Sequence, residues 1–83
     1  MDFLSLPNSI RNDITQWLYK SPNPSFGASI IQIQGVQGYE LALVNFHNDG
    51  QKSINWHYPE LGGIFPGLTE QEVNDLLVKI SEL

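Results

Sequence analysis

The chain has 83 residues, four Lys and Arg against nine Asp and Glu for a formal net charge of −5, two His and no Cys. At that length it forms one domain with one thin core, burying roughly 60–65% of the area its unfolded form exposes. The missing cysteines exclude disulfides and thiolate metal sites. The four cations (Arg11, Lys20, Lys52, Lys79) stand far apart in sequence and form no local patch for nucleic acid or an anionic membrane.

The opening segment MDFLSLPNS has neither the cationic start nor the apolar centre of a secretory signal. No apolar run approaches the roughly 18 residues that a membrane crossing needs. Both observations, with the lack of cysteine, point to a cytoplasmic protein. A core this thin leaves association as the remaining source of added stability, with a larger protein or with a second copy of the chain.

In chain order, SLPNSIRNDITQWLYK places Ile10, Ile14, Trp17 and Leu18 at i, i+4, i+7 and i+8, a stripe of helical period that Leu6 extends. Ser5 or Asn8 supplies a cap and Pro7 suits a first turn, so a helix is expected over 5–20. The prolines of SPNPS (21–25) end it. GASIIQIQGV (27–36) is rich in β-branched residues and reads as a strand, followed by a turn at GVQG. YELALVNF (39–46) is apolar on both faces, Tyr39, Leu41 and Leu43 on one and Ala42, Val44 and Phe46 on the other, as a central strand requires. KSINWHY (52–58) alternates and sets Ile54, Trp56 and Tyr58 together.

The NDG between these last two strands fits a three-residue loop with Gly50 left-handed, pairing His47 with Gln51, Val44 with Ile54 and Ala42 with Trp56. A two-residue loop would exchange the facing sets. PELGGIFPG (59–67), with two prolines and three glycines, reads as a loop. Thr69 stands three residues before Glu72, a capping box, and Leu68 is placed to staple against Val73. Val73, Leu76, Leu77, Ile80 and Leu83 give the closing helix its apolar stripe. The expected fold is a single small α+β domain over residues 1–83, α-β-β-β-α, with a three-stranded antiparallel meander packed by two helices.

Catalytic and cofactor patterns are sparse. His47 and His57 with Asp49 or Glu60 have no helical metal-ligand spacing, and no metal or cofactor is expected. Ser53 and His57 share a strand face but lie about 13 Å apart, beyond hydrogen-bond reach. Gly62, Gly63 and Gly67 precede a helix N-terminus, yet the Walker lysine is missing and Glu70, Glu72 and Asp75 oppose a phosphate.

The aromatic residues Trp17, Trp56, Tyr58 and Phe65 have two readings: they complete a core that aliphatics cannot fill, or they mark a contact surface. Two helices on one face of a sheet apolar on both sides would leave the other bare. The sequence therefore supports a small, acidic, non-enzymatic interaction module: an adaptor, accessory subunit or inhibitor. Its expected partner-binding residues are Trp56, His57, Tyr58, Gly63, Ile64 and Phe65. The alternative is a small-molecule binder or enzyme in which His57, Tyr58 and Glu60 converge.

Overall fold

The structure, a computed structural model describing residues 1–83, is a mixed α+β fold. A twisted antiparallel sheet carries one helix at its back. The strands are β1 (Asn8–Arg11), β2 (Ile14–Lys20), β3 (Phe26–Ile33), β4 (Tyr39–Phe46), β5 (Lys52–Ile54) and β6 (Ile64–Leu68), and the helix is α1 (Glu70–Ser81). The first five strands lie side by side in chain order, and β6 pairs with β4 beyond the end of β5. A single 3₁₀ turn, Phe3–Ser5, precedes the sheet.

The expected first helix is a β-hairpin. Arg11 pairs with Ile14 across a two-residue loop, and Asn12 takes a left-handed φ of 54°, a conformation asparagine tolerates better than most residues. The helical spacing arose because β2 is apolar on both faces. Ile14 and Leu18, an even interval apart, lie on one face, while Trp17 and Tyr19 are buried on the other. Ile10 of β1 with Ile14, Trp17 and Leu18 from the two faces of β2 reproduce i, i+4, i+7, i+8 without any helix. Pro7 still serves the ladder, its carbonyl accepting from the Leu18 amide at 3.2 Å. The α-β-β-β-α order is thus replaced by six strands and one helix.

The third expected strand is shorter than residues 52–58. The Val44–Ile54 pairing forms, with His47 N donating to Gln51 O at 2.8 Å and Gly50 at φ 83°. The three-residue loop is therefore correct, but Ala42 pairs with Ile64 rather than Trp56. The strand stops because Asn55 Oδ1 accepts the amides of His57 and Tyr58, each at 3.0 Å, turning the backbone out of the ladder.

The chain returns as β6 inside the segment read as a loop. Tyr39 pairs with Leu68 and Leu41 with Phe65, a bulge that accommodates Pro66 and left-handed Gly67 (φ 66°).

α1 matches its sequence signal. Thr69 Oγ1 accepts from Glu72 N at 3.2 Å, and Glu72 Oε1 accepts from Thr69 N at 3.0 Å. Val73, Leu77 and Ile80 are fully buried against Ala28, Ile30, Leu41 and Leu43 of the sheet. The 3₁₀ turn completes this layer: Phe3 is fully buried, edge-on to Trp17 and Tyr39 with centroids 5.3 and 5.0 Å away. Its amide donates to Asn74 Oδ1 of α1 at 2.9 Å. Ser21 Oγ donates to Ile80 O at 3.2 Å and fixes the far end of the helix. This helix is too short and too polar to cross a membrane.

Candidate functional site: the unroofed face of the sheet

All core packing described so far lies on one face. The register places the other face row by row. Arg11, Ile14 and Ile33 form the row at the β1–β2 loop, followed by Ser9, Gln16, Ile31 and Glu40. Leu18, Ser29, Ala42 and Ile64 come next, then Lys20, Gly27, Val44 and Ile54, and finally Phe46 with Lys52. The helix α1 packs against the opposite face of these strands. Exposure across them is uneven: Ile14 and Ile64 remain 41% and 46% exposed, whereas Gly27 and Val44 are buried.

The surface is a shallow trough. A hollow of about 510 Å³ lies at the β1–β2 edge among Ser9, Arg11, Ile14, Gln16 and Ile31, bounded also by Ile10 and Asn12. Ile31 also borders a depression of about 160 Å³ shared with Ser29, Ala42, Ile54 and Ile64. Gln16 Nε2 donates to Ser29 Oγ at 2.7 Å across the floor.

Close approach of backbone and ring shapes the far end. A methyl on Gly27 would fall 2.2 Å from Tyr19 O and 2.5 Å from the Phe46 ring, so only glycine lets that ring lie across β3. Lys20 Nζ stands 5.2 Å from the same ring's centroid, a cation–π contact that holds the ammonium on this face.

Charge divides unevenly between front and back. Three of the four basic residues, Arg11, Lys20 and Lys52, belong to the open face, with Glu40 as its one carboxylate. Around α1 the balance is reversed, with Glu70, Glu72, Asp75 and Glu82 against Lys79. Beside the helix start, Tyr39 Oη donates to Glu70 Oε1 at 3.3 Å. Burial first, then the Glu70 charge and this bond, push the Tyr39 phenol above its usual range against a smaller opposing effect of Gln32. Tyr39 thus stays protonated at neutral pH.

The six residues expected at a contact surface separate into three groups. Trp56 and Gly63 come together, the indole 3.6 Å from where a side chain on Gly63 (φ 92°) would begin, and Ile64 follows next in the chain, paired with Ala42 on the open face. Trp56 is 59% exposed. Tyr58 and Phe65 are half-buried and pack on the core cluster, Tyr58 edge-on to Phe26 at 5.7 Å. His57 is exposed and apart from both groups, held only through its backbone amide.

Chemical alternatives find little geometry. His57, Tyr58 and Glu60 are joined by no hydrogen bond. His47, rather than His57, meets Ser53, Nε2 to Oγ at 2.8 Å, and Asp49 is engaged by the Gln51 amide. No three His, Asp or Glu residues are grouped closely enough to hold a metal ion.

Sequence reasoning missed Ile14, Leu18, Ile31 and Ile33 as surface lining, together with the three cations that frame them. The alternation of Thr15, Trp17 and Tyr19 in β2 was the available signal. Comparison with family models, with curated proteins and with solved structures finds no match for this chain.

Proposed function

We propose that this chain is a small, cytoplasmic, non-enzymatic interaction module, an adaptor, accessory subunit or inhibitor, that binds a protein partner through the open face of its sheet. Trp56, Gly63 and Ile64 form one rim of the contact. The observation that supports this reading is the asymmetry of roofing. On one face β4 buries Leu41 and Leu43 completely, while on the other Ile14 of β2 and Ile64 of β6 are 41% and 46% exposed. Apolar area left in water costs about 25 cal/mol per Å², which a partner recovers on covering it. An exposed indole at the rim suits the aromatic anchors that dominate such contacts.

Affinity capture from the native host with matched variants tests the proposal. Ile14→Asp and Ile64→Asp alter only exposed positions of the trough, and Trp56→Ala removes the rim anchor. Val78→Asp places the same charge on the solvent side of α1. A partner held by the parent chain and by Val78→Asp, but released by both trough variants and weakened by Trp56→Ala, is the expected result. A partner indifferent to all three front-face changes overturns the proposal. Size-exclusion with light scattering identifies whether that partner is a second copy.

A further inference from the structure

We infer that the occupant of the open face is an amphipathic helix of a partner protein, apolar along its middle and acidic at both ends. This inference rests on the reading above and specifies its ligand.

Area is the first ground. Five strands about 4.8 Å apart and the seven residues of β2 at about 3.4 Å each describe a face of about 20 by 24 Å, on the order of 500 Å². A second copy placed face to face brings two cationic surfaces together. A helix of three to four turns, about 10–12 Å across, lies within the face. The opposite side of the same strands already accepts one, the 12-residue α1.

Charge is the second ground and sets the pattern. Arg11 stands in the first row and Lys20 six residues along β2 from Arg11's partner Ile14, so the two ends of the trough are about 20 Å apart. Lys52 adds to the Lys20 end, beside Phe46. A helix rises 1.5 Å per residue, so carboxylates about 13 residues apart reach both ends at once. Glu40, level with Ile31 in the row next to Arg11's, repels acids just inside that end, so the stretch between the two ends is left to apolar residues. The outer side of α1 from another copy is acidic but offers only Val78 as an exposed large apolar group. A second copy's helix therefore lacks the apolar stripe.

The experiment is a selection of phage-displayed 16-residue helical peptides, with a fixed apolar stripe at i, i+3, i+4 and i+7 and randomised end residues, against the intact 83-residue chain. Enrichment of Asp and Glu at both ends is expected. Synthesised winners should perturb the backbone amide signals of Ile14, Ile31, Val44 and Ile64. Binding should weaken on the order of tenfold in the triple variant Arg11→Glu, Lys20→Glu, Lys52→Glu, three rim pairs acting together. That variant should in turn select Lys and Arg ends, a reversal that a merely unfolded chain cannot produce.

Enrichment of neutral or basic ends on the parent chain, no enrichment at all, or amide shifts confined to α1 overturns the inference. If the peptides fail while a captured host protein is still lost with Ile14→Asp and Ile64→Asp, the interaction reading stands and only the helical occupant is wrong. If both fail, the open face is no docking surface.

Discussion

The two faces of this sheet are built from the same strands by the same alternation, and they differ in what lies above them. Behind, Leu41 and Leu43 meet Val73, Leu77, Ile80 and the Phe3 ring. In front, Ile31 borders one shallow hollow with Ile14 and another with Ile64, and Ile14 and Ile64 stay exposed. An apolar pattern in a strand thus specifies a surface that benefits from cover, and a separate segment decides whether the chain provides it. The charges follow the same division, acids around the roof and cations around the bare face.

Stability measurements should break or sharpen this contrast. The largest effect is expected from Gly27→Val, whose side chain collides with Tyr19 O and the Phe46 ring; loss of cooperative urea unfolding is the readout. Leu43→Ala on the roofed side should cost about 2–5 kcal/mol by the same measurement. Ile31→Ala on the open side should cost less than about 1.5 kcal/mol, since little cavity forms where there is no cover. Equal losses at positions 31 and 43 would abolish the distinction between the faces. Thr69→Ala, which removes the cap of the roof, should cost about 1 kcal/mol, visible as a lowered Tm and reduced helical circular dichroism.

The smallest effect concerns Tyr39. Its folded pKa is raised above the unfolded 10.0, so the unfolded chain ionises first as pH rises. Its contribution is intact below about pH 10 and is lost as pH climbs through the folded value. Tyr39→Phe should flatten the alkaline part of a stability-against-pH curve and leave neutral stability within about 1 kcal/mol.

The sequence disclosed those parts in which one local signal had one meaning. The Thr69–Glu72 box and the Val73–Leu83 stripe agree, and α1 appears where both place it. NDG specifies a loop, and the Val44–Ile54 register follows. Where two physical causes share a pattern, the reading failed: β2, apolar on both sides, imitates a helix. β6 contains Pro66 and Gly67, which mark a loop in most contexts but here occupy a bulge at a sheet edge. The Phe3 turn is too short to show any period.

The candidate site divides in the same way. Trp56 and Ile64 were visible as large apolar residues near turns. The cationic frame was not, because Arg11, Lys20 and Lys52 are separated along the chain and converge only through antiparallel pairing.

The bond from Phe3 to Asn74 joins residues 71 positions apart. During synthesis the ribosome delivers all six strands before the segment that seals their back. Until Asn74 and its neighbours emerge, the nascent meander shows grease on both sides and Phe3 has no seat beneath the helix. The protein's most adhesive moment therefore comes before it is finished, and a chaperone that recognises bare sheet would meet it then.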